Sequence, residues 1–281
     1  MINKKIVASV LGGTAMAVSV GMAQAATMFT FDPTSVAAPG GPSAVGPFQA
    51  DEMTWRSLGQ GNVVITDTDG NGSLDAGGVL GDSFLENVTV FQTQFFKNGL
   101  VVPVSISGIN TQYEIFGVAT LTGNSGLQGP NVVATFDSSS NATLYFDSNV
   151  NGVLDAASAS VIGQLTNTNG DCVFTGSPSG FAEGSCGMSF DFDAAGVSDA
   201  GVWTLAGTDL GDLGAKISLD IDVDSINPAV QLAYAGGPGS SQTVGVTHDG
   251  SSKFSVPEPS ILALFGIGLI GLGRVHTRKE S

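Results

Sequence analysis

Hydrophobic and polar residues alternate over Lys216–Asp224. Ile217, Leu219, Ile221 and Val223 fall on one side, and Ser218, Asp220, Asp222 and Asp224 on the other. Successive side chains of a strand point to opposite faces, so the pattern predicts a strand that covers a core on one side only. Other short runs rich in β-branched and aromatic residues stand between turn residues. They lie at Asn62–Thr66, Asn87–Phe96, Leu100–Ile106, Tyr113–Leu121, Asn131–Phe136, Ala142–Phe146, Val202–Leu205 and Ala229–Tyr234. Many short strands between turns predict an all-β fold, an antiparallel β-sandwich, barrel or jelly-roll-like domain. Glycine is abundant, at 40 residues, and the Lys, Glu and Arg that long amphipathic helices use are scarce.

Two segments depart from this pattern by being apolar on every face. Near the N-terminus, Lys4 and Lys5 precede an apolar stretch from Ile6 to Met22, followed by Ala23-Gln24-Ala25. A basic start, an apolar stretch and a small-x-small end predict a signal peptide over 1–25, cleaved between Ala25 and Ala26. Near the C-terminus, Pro257-Glu258-Pro259 precede the uncharged run Ile261–Leu272, and Arg274, Arg278 and Lys279 follow it. The prolines hold the preceding chain extended and let a helix begin after them. The run is short of the roughly 20 apolar residues of a comfortable span, which suits a transient anchor. The basic residues behind it place the C-terminus in the cytoplasm. The expected organisation is a signal peptide at 1–25, a β-rich exported domain at 26–235, a flexible Gly/Ser-rich stem at 236–256 and a sorting segment at 257–281.

Charge narrows the partners. Between the two terminal segments the bases are Arg56, Lys97, Lys216 and Lys253. They face 23 acids, the chain's 25 without Glu258 and Glu280, for a formal charge of −19 against −16 for the whole chain. Such a surface repels nucleic acid and anionic lipid headgroups and favours divalent cations or basic partners, besides aiding solubility. Cys172 and Cys186 are the two cysteines. In an oxidising compartment they are expected to form a disulfide, whose closed loop of about 15 residues gives roughly 3 kcal/mol by the chain-entropy argument.

Two stretches share the spelling D-x-[DN]-x-N-G-x-L-D. The first runs through Asp67, Asp69, Asn71, Gly72, Ser73, Leu74 and Asp75, the second through Asp147, Asn149, Asn151, Gly152, Val153, Leu154 and Asp155. These match the first nine positions of a calcium loop: side-chain oxygens at 1, 3, 5 and 9, a carbonyl at 7 (Ser73 in the first copy) and a glycine at 6. Leu74 and Leu154 would pin the loops to the core. The bidentate acid of position 12 is missing, since Gly78 and Ser158 stand there. Asp82 or Glu86 could complete the first shell, while the second loop has no nearby downstream acid. The expected cofactor is weakly held Ca²⁺, with Kd about 10⁻⁴–10⁻³ M. Asn71-Gly72 and Asn151-Gly152 are equally strong hairpin turns, and that reading stays open. The rows Asp220–Asp222–Asp224 and Asp191–Asp193 read as solvated faces or cation sites. No catalytic motif stands out: there is no G-x-S-x-G, H-E-x-x-H or phosphate loop. His248 falls in the expected stem, a poor place for a rigid base. No catalytic residues and no enzyme activity are expected.

The order Pro257-Glu258-Pro259, apolar run and basic tail resembles the PEP-CTERM sorting signal of Gram-negative bacteria. That resemblance implies processing by an exosortase, after export by the general secretion machinery and transient anchoring in the inner membrane. Phe29–Pro33, Gly46–Trp55 and Ala142–Asp147 are similar to the flocculation-associated PEP-CTERM proteins. That similarity implies a non-enzymatic protein of the cell surface or extracellular matrix, acting in flocculation or biofilm formation with exopolysaccharide. The alternative is a secreted glycan-binding β-sandwich module that uses calcium.

Overall fold

The computed structural model describes residues 27–37, 45–75, 81–177, 180–193 and 201–257, with the side chains of 176–182 and 193 outside that description. The signal-peptide site at Ala25 and Ala26, position 12 of the first loop at Gly78, and Glu258 and Pro259 of the sorting motif lie outside the described residues.

Strand is the dominant regular structure of the described chain. In order it forms β1 (Phe29–Phe31), β2 (Phe48–Ala50), β3 (Glu52–Ser57), β4 (Gly61–Thr66), β5 (Asp82–Lys97) and β6 (Leu100–Val101). A four-residue α-helix follows, α1 (Val104–Ser107), then β7 (Glu114–Gln128), β8 (Asn131–Phe136) and β9 (Asn141–Asp147). The longest pair, β10 (Ala159–Ser177) and β11 (Gly180–Asp193), precedes β12 (Trp203–Leu205) and β13 (Thr208–Asp209). Last come β14 (Lys216–Asn227) and β15 (Ser241–Ser255).

The antiparallel pairings of the larger sheet form a ring. β5 pairs with β7, and β7 pairs in turn with β9 and β8 along its length. Both of those pair with β10, followed by β11, β14 and β15. β15 then pairs with β4 and β3, which lie end to end and both return to β5. The all-β antiparallel expectation is met, and the two faces are joined at both edges into a barrel. Closure leaves no long unpaired edge, the feature that makes open sheets stick to one another.

The barrel has two distinct ends. At one, the small sheet β13-β12-β1-β2 packs across the opening. Its Phe29, Phe31 and Trp203 are fully buried against Phe95, Tyr113, Phe192 and Phe254. The Trp203 indole donates to the Ile162 carbonyl at 2.8 Å, so the largest ring of the plug is fixed in orientation. At the other end, the Asp67–Asp75 loop and the segment 228–240 close over a second apolar cluster containing Leu74, Ile226, Val230, Tyr234 and Val244. Cys172 and Cys186, directly opposite on β10 and β11, are bonded and lie in this second cluster.

Three expectations need correction. The stem expected at 236–256 is, over Ser241–Ser255, a strand paired on both edges. Its inward positions Val244, Val246, His248, Ser252 and Phe254 are all buried. One of the glycines that read as flexible is there for close packing. A Cβ on Gly250 would lie 2.5 Å from the Asp220 carbonyl oxygen. The strand expected at Leu100–Ile106 stops at Val101. Pro103, which has no N–H to give a ladder, caps α1 instead. Ala229–Tyr234 is not a strand either. Its backbone is taken up by the first loop, with Leu74 N–H donating to Leu232 O at 2.7 Å and Tyr234 N–H to Gly72 O at 3.0 Å. By contrast Lys216–Val223 alternates as expected, with Ile217 and Val223 buried and Ser218, Asp220 and Asp222 exposed. A bulge between Val223 and Ser225 then shifts the period so that Ile226 turns inward.

Val246→Pro should therefore destabilise the domain by at least about 2 kcal/mol, because it removes a ladder donor in a strand paired on both sides. Chemical denaturation of the full chain checks this; an unchanged midpoint would restore the stem.

Candidate functional site

The first D-x-D-x-N-G loop is folded around Asp67. Its carboxylate accepts four backbone N–H groups: Gly70 at 2.9 Å and Asn71 at 3.2 Å on Oδ1, Gly72 at 2.8 Å and Gly239 at 2.7 Å on Oδ2. Burial pushes the Asp67 carboxyl up, but these amides and the Asp69 side chain outweigh it and hold the group below the ordinary carboxylate value. Asn71 Nδ2 donates to Asp69 Oδ2 at 2.9 Å and to Asp75 Oδ1 at 2.7 Å. From the start of β5 comes Asp82, fully buried, which accepts from Thr68 N–H at 3.3 Å and Asp75 N–H at 3.2 Å. Oxygens of Asp67, Asp69 and Asp82 lie within 4.8 Å of one another. Burial, then the nearby Asp75 charge, raises the Asp82 carboxyl, although the two amides and the Tyr234 side chain oppose the shift. The Tyr234 hydroxyl faces Asp82 without a well-aligned hydrogen bond and is itself held above the usual phenol value by burial and by that carboxylate. Of the two acids considered for completing this loop, Asp82 is present. Glu86 is not, because its carboxylate is engaged elsewhere.

The second loop has the same spelling and a different interior. Asp147 is fully buried and accepts from Asn149 N–H at 2.8 Å, Asp155 N–H at 2.7 Å and the Ser158 hydroxyl at 2.5 Å. The loop's central amides, Asn151 and Gly152, go instead to Glu114 at 3.0–3.3 Å. Glu114 sits directly opposite Asp147 on β7, a relation visible only once the register is known. Leu74 of the first loop is buried as expected, whereas Leu154 of the second is only half-buried. Among the described residues, Asp67, Asp69 and Asp82 form a close acidic group and the second loop does not.

On the outer face of β10, β11 and β14, two shallow grooves of about 490 and 460 Å³ are bordered by Glu183, Asp222 and Asp224, and by Asp171 and Asp220. Asp249 on β15 stands opposite Asp222. Partial burial, then Asp249 and Asp222, push the Asp224 carboxyl up, with His248 opposing the shift. The row is thus exposed and self-repelling.

Sequence reasoning missed the Glu86–His248 pair. Glu86 Oε1 and His248 Nε2 lie 2.5 Å apart inside the barrel, and both residues are buried. They sit where the two apolar clusters meet, between cavities of about 70 and 40 Å³ whose shared lining includes Phe136 and Cys186. The His248 backbone is clamped by Ser57, whose hydroxyl accepts from His248 N–H at 2.5 Å.

Residues 255–279 match the family described as the PEP-CTERM protein-sorting motif. No curated protein and no solved structure matches the chain. The motif marks an exported, cell-surface-associated protein whose sorting depends on an exosortase. It begins at the last residue of β15, so the barrel is the cargo.

Removing one member of the buried pair leaves the other polar group without its partner inside the barrel. His248→Ala should cost about 3–5 kcal/mol, and Glu86→Leu with His248→Leu should cost clearly less than the single change. Urea unfolding of the parent and the two variants checks the order; a double variant that loses as much as the single one would deny the pairing.

Proposed function

We propose that the barrel is a non-enzymatic component of the extracellular matrix that acts with exopolysaccharide in flocculation or biofilm formation. The observation that carries the reading is the direct join of sorting motif to closing strand, which would deliver one closed body to the surface. The similarity of Phe29–Pro33, Gly46–Trp55 and Ala142–Asp147 to flocculation-associated proteins supports it. So does a polar outer face carrying carboxylates beside Ser185, Ser189 and Asn169, groups that hydrogen-bond sugar hydroxyls. The chain would pass through the inner membrane of a Gram-negative cell, held by its tail until cut. Deleting the gene should abolish flocs while the purified domain shows no saturable affinity for a single sugar. Saturable binding to one glycan, with flocs intact, would favour the lectin-like alternative. Replacing Pro257-Glu258-Pro259 with alanines should leave an uncut, membrane-held form, detected by fractionation.

A calcium role at the first loop is favoured by one observation: Asp82 joins Asp67 and Asp69 across 14 residues of sequence. Asp67 spends its lone pairs on four amides and shapes the loop, while Asp69 and Asp82 keep unused ones for a cation. Bound Ca²⁺ at a hundredfold excess over Kd would add about 2.7 kcal/mol of stability. Because Asp82 must be ionised to ligate and its carboxyl is raised, affinity should fall on acidification before an ordinary carboxylate would titrate. Melting temperatures with and without millimolar Ca²⁺, for the parent and for Asp69→Ala with Asp82→Asn, check the proposal. A parent chain indifferent to Ca²⁺ would leave a plain turn.

A further inference from the structure

Nine large apolar side chains are exposed among the described residues, and six of them lie at one end of the barrel. Leu100, Val101, Val104 and Ile106 belong to the projection between β5 and β7. Val150 and Val153 belong to the second D-x-N loop beside it. Leu100 is 74% exposed. The projection is not loose. Asn98 and Gly99, both with positive φ, make a tight turn that sets Leu100 opposite Lys97. Pro103 then starts α1, and the Tyr113 hydroxyl donates to the Ser107 carbonyl at 2.6 Å. An apolar tip on a rigid support is held away from water by nothing in the described fold.

The chain leaves the barrel at the same end. Lys253 of β15 pairs with Glu52 of β3 at 3.3 Å, and Glu52 stands opposite Phe96 of β5. Ser255 is therefore about level with the Lys97–Leu100 pair and two strands away, roughly 10 Å. Pro257 is the last described residue, and the apolar run starts at Ile261. Four residue steps span no more than about 14 Å. The headgroup layer on one side of a bilayer is about 5–8 Å thick. A barrel tethered so closely must stand on the membrane with this end down. Three of the four bases of the exported part are at this end, Lys216 paired with Asp191, Lys253 with Glu52 and Lys97 bonded to Gln49, while the first D-x-D loop is at the other.

We infer that the Leu100–Ile106 projection is a second membrane contact, dipping into the lipid interface beside the uncut tail and fixing how the barrel stands. The occupant is lipid, because the tether brings lipid to this face and to no other. The inference rests on the tail being in the membrane before processing. An apolar tip flanked by a lysine and held by packing is the usual make-up of an interfacial contact.

The test uses the full chain carrying Leu100→Trp in phosphatidylethanolamine/phosphatidylglycerol vesicles at high lipid-to-protein ratio, with brominated lipids as quencher. Leu85→Trp, on the barrel flank, is the control, and Val104→Trp is a second reporter should the first disturb the turn. Trp55 and Trp203 are buried and give the background to subtract. The expected result is a blue-shifted emission and quenching several-fold above the Leu85→Trp control. Vesicle-held protein whose introduced indole is as red and unquenched as the control overturns the inference and leaves the anchored reading standing. A shift that grows with protein density and ignores brominated lipid assigns the tip to a second copy and overturns it too. Failure of the chain to float with vesicles overturns both, and flotation separates that case from the others.

Discussion

Ser241–Ser255 is hydrogen-bonded on both edges along its length, to β14 on one side and to β4 and then β3 on the other. It is the last strand in sequence, and it closes a ring that begins with strands almost 200 residues earlier. Without it, β14 and the β3/β4 pair would each expose a row of unpaired amides and carbonyls, and the interior would open along its length. The core, the buried pair and the point at which the chain leaves the barrel all follow from that closure. Phe254 reaches the aromatic plug, His248 reaches Glu86, and Val244 and Val246 line the second cluster.

The two ends of the barrel are built for different surroundings. The plugged end carries the chain's exit, the exposed apolar tip and three lysines. The opposite end carries the Asp67 loop, whose carboxylate gathers amides from its own turn and from Gly239. That bond ties the loop to the segment leading into β15, so the acidic cluster and the closing strand share a support. A cation at Asp69 and Asp82 would tighten the same junction. The polar outer face of β10, β11 and β14 lies between the ends and is bordered by carboxylates.

Much of this was legible in the residues, and the exceptions have physical causes. The sorting motif and the alternation of β14 are local patterns, so a single sequence displays them. The inward position of Glu86 was not read, because the expected strand began at Asn87 whereas β5 begins at Asp82 and puts Glu86 on the side of Phe84 and Val88. Its partner was hidden because β15 is rich in Gly and Ser and looks like a linker. One of its glycines, Gly250, is instead demanded by the neighbouring backbone at Asp220. Of the two D-x-[DN]-x-N-G loops, sequence separated them by the downstream acid, available to the first as Asp82 or Glu86 and lacking in the second. Their difference comes from Glu114, which lies 33 residues before Asp147 and meets it only through strand register. Leu100–Ile106 carried a strand's composition, but Asn98-Gly99 and Pro103 turned it into a projection.

The central claim is that the body is a closed barrel whose final strand is structural. Hydrogen exchange followed by mass spectrometry on the full chain tests it most directly. Amides of Ser241–Ser255 should exchange as slowly as those of β5 and β14, through opening of the whole barrel. Exchange of that segment at the rate of an unstructured peptide, with β14 still protected, would contradict it.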